Sequence, residues 1–160
     1  MIDPELAAFL QSGLSMVVGT RDAGLRPEVA RAVGLRVEAG GAEATVFVPV
    51  ATGADTLANL EANGRIAVTC SRPADHRTLQ LKGGVLEIRA ADERDRGDIE
   101  RYRQDFVEVL GYVGVPPRLT GRVQAWPCHA VRFRVEALFQ QTPGPDAGAA
   151  LGRSGAERPS

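Results

Sequence analysis

Two arginines five residues apart are the side chains of this sequence best suited to hold an anion. Residues 31–36 read RAVGLR, so Arg31 and Arg36 flank three apolar residues and Gly34. A guanidinium presents five N–H donors in a planar fork that matches the geometry of phosphate and carboxylate groups. A glycine has no Cβ, which lets another group, such as a flat ring, approach the backbone. The segment therefore indicates a site for an anionic ligand that contains a ring.

The strand that carries these arginines leaves two interpretations open. In a regular strand alternate side chains share a face, so Arg31 would lie with Val33 and Arg36 would lie opposite them with Gly34. In the first interpretation Arg31 begins the strand and pairs with an acid such as Glu28. In the second, a bulge at Gly34 turns both arginines towards one ligand.

Other residues that could ligate a metal or act as a nucleophile are few and scattered. Cys70 and Cys128 form no CxxC pair, and His76 and His129 stand apart from them. We expect both thiols to be reduced and packed as small apolar side chains. The sequence identifies no catalytic nucleophile, no general base and no metal site.

The sequence predicts six strands and three helices, and these elements must position the residues named above. Strand-like composition or alternation occurs in residues 14–20, 29–39, 44–50, 65–72, 78–89 and 129–139. The short connections between them favour antiparallel hairpins. We expect a mainly β fold with short helices, a six-stranded antiparallel barrel. This domain would span residues 1–141, followed by a flexible tail rich in Pro, Gly and Ala at residues 142–160.

The predicted helices have recognisable ends and faces. Thr52 and Asp55 have the spacing of a capping box at the start of the second helix, and Gly64 predicts its end. In the third helix, at residues 91–111, apolar residues recur at helical spacing. Arg101 and Arg103 are expected on its solvated face.

The composition argues against nucleic acid and membranes as partners. The 19 basic and 20 acidic residues give a net charge of −1, which provides no basic field for nucleic acid. The longest apolar runs are too short to span a membrane. The first ten residues contain two acids and no basic residue, unlike a secretory signal, so we expect a cytoplasmic protein.

The order and spacing of these motifs resemble the pyridoxamine 5′-phosphate oxidase family. The motif R-x-V-x-L-R is followed by a hairpin, an apolar strand and a short helix ending in N-G-R. The segment DHRTLQLKG at residues 75–83 and the closing AVRFRVEALFQQTPGP also resemble this family, and the similarity covers most of residues 5–145. It implies a split β-barrel that forms a homodimer, binds FMN at the dimer interface and acts as an oxidoreductase on an unknown substrate.

The resemblance also implies which residues contact the cofactor. Two arginines would bind the phosphate, ribityl chain or ring, and the strand end after the hairpin would offer backbone to the isoalloxazine edge. One further residue would act across the dimer interface. The implied set is Arg31, Val33, Gly34, Arg36, Pro49, Val50, Thr56 and Thr78.

Three departures from the family pattern narrow the implied function. Asp55-Thr56 stands where the oxidases carry an Arg-Lys pair, which predicts a weakened phosphate site, and Thr78 replaces a glutamine. The tail contains only Arg153 and Arg158 as basic residues, so a vitamin B6 phosphate is not the expected substrate. The alternative is a non-catalytic barrel that binds flavin, deazaflavin or haem. For haem, the candidate axial ligands are His76, His129 and Cys70.

Overall fold

The computed structural model describes residues 2–122 and 124–153. Within these residues one antiparallel sheet contains eight strands, and four helices accompany it. The strands are β1 (Ser15–Arg21), β2 (Pro27–Ala32), β3 (Leu35–Val37), β4 (Glu43–Pro49), β5 (Arg65–Ser71), β6 (Thr78–Ala90), β7 (Cys128–Gln140) and β8 (Ala150–Arg153). The helices are α1 (Pro4–Leu10), α2 (Ala54–Asn63), α3 (Glu93–Tyr112) and α4 (Pro117–Thr120).

The sheet curls until its two ends meet at the RAVGLR segment. The strand order is β2-β1-β5-β6-β7-β4-β3, so two strands that follow each other in sequence lie at opposite ends. Between them the Val33 N–H donates to the Phe47 carbonyl at 2.9 Å, and the Phe47 N–H donates to the Gly34 carbonyl at 3.0 Å. The predicted antiparallel barrel with short helices is confirmed. Its strand count differs, because the run predicted as one strand is divided at residues 33–34 and β8 is added.

Gly34 makes this division possible. Its φ of +135° lies in a region that favours glycine. A Cβ at this position would lie 3.3 Å from the Phe47 ring and 3.4 Å from Tyr102 Cβ. The chain therefore changes its pairing partner from β1 to β4 at the one residue of the segment without a side chain.

Alternating burial along the strands builds the core inside the barrel. In β1, Met16 and Val18 are fully buried, and in β5 the same alternation buries Val68 and Cys70. The second thiol, Cys128, is also buried, so the prediction that both cysteines pack as small apolar side chains is confirmed. Burial raises the pKa of each thiol to about 12, which leaves both unreactive at neutral pH.

The start of α2 differs from the prediction. The N-cap is Gly53, no side chain caps the helix, and the Thr52 N–H instead donates to the Pro49 carbonyl at 3.4 Å. The predicted capping box at Thr52 is therefore wrong, because that residue belongs to the turn that leaves β4. The predicted end is confirmed, since Gly64 is left-handed with φ +65°. No helix within the described ranges is long and apolar enough to cross a membrane.

Part of the predicted flexible tail is paired with the sheet. The Gly148 N–H donates to the Gln140 carbonyl at 2.7 Å, and β8 continues this pairing along β7. This pairing does not require apolar side chains, because it uses backbone N–H and C=O groups. The flexibility expected for residues 142–160 stays a prediction. Residues 154–160, including Arg158, lie outside the described residues. The domain boundary at residue 141 stays a prediction.

Candidate functional site

The bend at Gly34 turns both arginines of RAVGLR towards α3. The Arg31 guanidinium lies over the ring of Phe106, 5.7 Å from its centroid. Arg36 reaches the other end of the same helix, where Nη1 donates to Asp95 Oδ1 at 3.0 Å and to Asp98 Oδ2 at 2.6 Å. Both side chains therefore face one element of the protein itself.

Arg36 lies in a cluster of acidic side chains. It is 13% exposed and pairs with three carboxylates, those of Asp95, Asp98 and Glu38, the last at 3.1 Å. Asp95 is 0% exposed and also accepts from Arg89 Nη1 at 2.5 Å. A phosphate at Arg36 would have to compete with these carboxylates and would be repelled by them.

The charges of this cluster reinforce one another. Burial by itself raises the pKa of the Asp95 carboxyl, but hydrogen bonds from Arg89, the Asp92 backbone N–H and Arg36 outweigh it. The pKa of Asp95 therefore lies well below its usual range. For Arg36, burial lowers the pKa, and the hydrogen bonds to Asp98, Asp95 and Glu38 raise it above its ordinary value. Arg36 and Asp95 consequently stay charged at neutral pH, and the cluster fastens α3 to the barrel.

Arg31 has a different environment, at a cleft between β2 and α3. The side chain is exposed, and within residues 2–122 and 124–153 it forms no salt bridge, so the pairing with Glu28 does not occur. The cleft has a volume of about 350 Å³, within the range of small-molecule sites. It is lined by Arg31, Ala32, Val33, Glu100, Tyr102, Arg103, Gln104, Phe106, Val107 and Thr120.

Two stacked aromatic side chains form the wall of the cleft on α3. The rings of Tyr102 and Phe106 lie 5.5 Å apart and 13° from parallel. The Tyr102 hydroxyl donates to the Leu14 carbonyl at 2.8 Å, and burial raises its pKa. Tyr102 is thus a fixed, neutral surface rather than a group that exchanges protons at neutral pH. Because Gly34 has no Cβ, the side chain of Tyr102 can pack closely against it.

The start of α2, where the family resemblance implies the phosphate, is acidic. A cavity of about 320 Å³ lies beside it. Three carboxylates and one guanidinium line this cavity, those of Asp22, Glu28, Asp55 and Arg26. Thr56 is 1% exposed, and its hydroxyl has no hydrogen-bond partner within the described part of the chain. In this conformation an external phosphate does not reach that hydroxyl.

The remaining residues of the implied set lie outside the cleft. Pro49 and Val50 are at the end of β4, where the Val50 N–H is already bound to the Pro127 carbonyl at 2.9 Å. Thr78 begins β6; its hydroxyl lies 2.7 Å from Ser71 Oγ and donates to the His76 carbonyl at 2.8 Å. Within one chain, the structure thus groups Arg31 and Val33 at the cleft, with Gly34 against Tyr102, and separates them from Pro49, Val50, Thr56 and Thr78.

The helix residues of the cleft were missed by sequence reasoning. The spacing of Tyr102 and Phe106 correctly indicated the buried face of α3, but nothing local indicates which strands that face covers. Arg103 was expected on the solvated face; its side chain is 38% exposed and also lines the cleft. The candidate haem ligands His76, His129 and Cys70 line none of it. Among the described residues, no group of three or more His, Cys, Asp or Glu side chains could hold a metal ion.

Comparisons with known proteins agree with this architecture. A family model described as Pyridoxamine 5′-phosphate oxidase matches residues 2–138. A comparison with curated proteins finds no match.

Three solved structures illustrate the similarity of fold. The HupZ protein of Group A Streptococcus is 20% identical, with a TM-score of 0.55 over 92% of this chain and 100% of that one. A putative pyridoxamine 5′-phosphate oxidase of Lactobacillus delbrueckii is 11% identical, with a TM-score of 0.54 over 86% and 92%. An F420 reductase is 16% identical, with a TM-score of 0.55 over 82% and 93%.

Proposed function

Because this chain belongs to the pyridoxamine 5′-phosphate oxidase family, we propose that it is an FMN-binding flavoprotein and acts as an oxidoreductase on a small molecule. The cofactor occupies the cleft between β2 and α3, at the interface of two copies of the chain. FMN supplies the electron-transfer chemistry when it is bound, and the protein supplies position and electrostatics.

One observation carries this proposal: Arg31 is a cation without a carboxylate partner among the described residues, at the edge of an apolar cleft. Because no carboxylate of the described residues competes for its N–H donors, this exposed guanidinium is available to an anion, and its position beside aromatic walls favours an anionic ligand with a ring. FMN combines a phosphate with a flat aromatic ring system. In the cleft, Arg31 contacts the phosphate, and Val33, Phe106 and Val107 contact the ring system.

The cleft residues bind and orient rather than transfer protons. Tyr102 is held by the Leu14 carbonyl, and the Arg31 guanidinium offers N–H donors but no acceptor. The apolar wall excludes water from the bound ring, which strengthens the attraction between Arg31 and an anion. No side chain of the cleft is assigned as a general base.

A second candidate function is a non-catalytic barrel that carries or senses flavin, deazaflavin or haem. The acidic surroundings of α2 and the neutralisation of Arg36 favour this second function, because both weaken the binding of the phosphate that the family pattern implies. A protein with weaker phosphate binding would still bind a planar cofactor through the cleft.

The test is visible absorption of the purified protein after excess FMN and desalting. We expect a retained two-band flavin spectrum for the wild type and for Arg26→Ala, and at least a tenfold loss of FMN affinity for Arg31→Ala. Arg26 is the matched control, because it is the one guanidinium among the residues that line the cavity beside α2.

Each other outcome has a definite meaning. Loss of FMN in Arg26→Ala but not in Arg31→Ala would move the phosphate to α2. A wild-type protein that keeps no flavin would overturn the proposal. A sharp Soret band would favour the haem alternative. Retained FMN without turnover by any electron donor would favour the carrier or sensor.

A further inference from the structure

The two cavities beside β2 have opposite charge. The cleft is lined by two guanidiniums, Arg31 and Arg103, against the single carboxylate of Glu100, which gives a net charge of +1. The cavity beside α2 has a net charge of −2, from one guanidinium against three carboxylates. An anionic group is therefore attracted to the cleft and repelled from the start of α2.

Arg103 is held only loosely by its own helix. Its Nη1 lies 3.5 Å from Glu100 Oε2, and the two side chains are 38% and 57% exposed. Exposed ion pairs of this kind contribute between about 0 and 1 kcal/mol. Arg103 can therefore exchange Glu100 for a ligand at little cost, whereas the 13% exposed Arg36 would have to give up three carboxylates.

Arg103 and Arg31 line the same cleft. Phe106 and Val107 follow Arg103 by three and four residues, so the three side chains share one face of α3, and all line the cleft. Phe106 is also the ring over which the Arg31 guanidinium lies. Two cations from different elements, β2 and α3, thus border the same aromatic ring.

We infer that Arg103 is the second cation of an anion site in this cleft and, with Arg31, holds the phosphate of the bound flavin. The inference rests on the proposed function. In this arrangement Arg103 of α3 takes the part that the family pattern gives to an Arg-Lys pair at the start of α2, where this chain has Asp55 and Thr56.

The experiment compares FMN with riboflavin, which lacks the phosphate, by isothermal titration calorimetry. We expect Arg103→Ala to weaken FMN binding at least tenfold and to leave riboflavin binding within a factor of two. Arg103→Lys should restore part of the FMN affinity, because it restores the charge. Glu100→Gln should tighten FMN binding severalfold, because it removes the carboxylate that competes for Arg103.

The matched control is Arg101→Ala. Arg101 lies on the same helix and pairs with Asp98 at 2.6 Å, but it does not line the cleft. We expect its FMN and riboflavin affinities to equal those of the wild type. Equal loss of FMN and riboflavin in Arg103→Ala would indicate a packing role and overturn the inference, as would unchanged FMN binding.

A titration with inorganic phosphate separates this inference from the proposed function. If the wild type binds neither flavin, the proposed function fails, and amide shifts of Gln104 and Thr120 on adding phosphate decide the inference alone. Shifts that disappear in both Arg31→Ala and Arg103→Ala support the anion site. Absence of shifts in the wild type overturns it.

Discussion

The two arginines of RAVGLR lie five residues apart and face the same helix, yet their surroundings are opposite. Arg36 is largely buried among Glu38, Asp95 and Asp98, whereas Arg31 is exposed and lies over the ring of Phe106. A guanidinium surrounded by carboxylates stabilises the fold and has no capacity for a ligand. One that meets only an aromatic ring has its donors available. The difference shows that the counter-charge, rather than the motif, decides which arginine keeps its donors available for a ligand.

The largest expected effect comes from the buried member of this comparison. Arg36→Ala removes a partner of the fully buried Asp95, and breaking a buried pair costs about 3 to 5 kcal/mol. Because Arg89 still pairs with Asp95, we expect a loss of about 3 kcal/mol in the free energy of unfolding, measured by urea denaturation.

The control for this variant is Arg65→Ala, which breaks an exposed pair with Glu136 and should cost less than about 1 kcal/mol. A cost for Arg36→Ala no larger than that of the control would show that the acidic cluster does not stabilise the protein.

The second largest effect tests the bend that directs both arginines towards α3. Gly34→Ala places a side chain at φ +135° and against Phe47 and Tyr102, so we expect a loss of about 2 kcal/mol. Gly97→Ala is the control within α3, where a Cβ meets nothing within 4 Å. It should raise stability by up to about 1 kcal/mol. Equal effects of the two substitutions in thermal denaturation would contradict the role assigned to Gly34.

A third effect is the response of the Arg36 cluster to acid. The pKa of Asp95 is lower in the folded state than its unfolded value of about 3.9, so its stabilisation is present above that pH. It is lost as the pH falls towards the folded pKa. We expect Asp95→Asn to be less stable than the wild type at pH 7. As the pH falls below about 4, the variant should lose less stability than the wild type. The slope of its free energy of unfolding against pH should be smaller by up to about 1.4 kcal/mol per pH unit.

Denaturation at several pH values between 2 and 7 provides the measurement. Glu61→Gln serves as the control, because Glu61 is exposed on α2 and forms no salt bridge within the described ranges. An acid slope that Asp95→Asn leaves unchanged would contradict the assignment.

The smallest expected effect on stability belongs to Arg31. Its contact with Phe106 is an exposed cation–π pair worth about 0.5 to 1 kcal/mol, so Arg31→Ala should unfold almost like the wild type. Excess FMN should raise the melting temperature of the wild type and leave that of the variant nearly unchanged. A loss as large as that of Arg36→Ala would show that Arg31 is structural and would remove the contrast between the two arginines.

Local pattern was sufficient for six of the strand segments, for three of the four described helices and for the barrel class, but not for the division between β2 and β3, for β8 or for α4. Alternation in residues such as Met16, Val18 and Val68 correctly predicted buried strand faces, because strand periodicity depends only on neighbouring residues. The buried face of α3, with Tyr102 and Phe106, followed from helical spacing in the same way. The capping box at Thr52 failed, because the turn leaving β4 decides where α2 begins.

The sequence by itself determined that RAVGLR is unusual: it places two guanidiniums around a glycine in an otherwise apolar strand. Only the tertiary structure decided what each guanidinium meets. The partners Asp95 and Asp98 lie 59 and 62 residues from Arg36, and Phe106 lies on the same distant helix. Local preferences act over a few residues, whereas the availability of a charge depends on which distant carboxylates folding brings to it. Folding therefore paired Arg36 with distant carboxylates and placed Arg31 at a cleft.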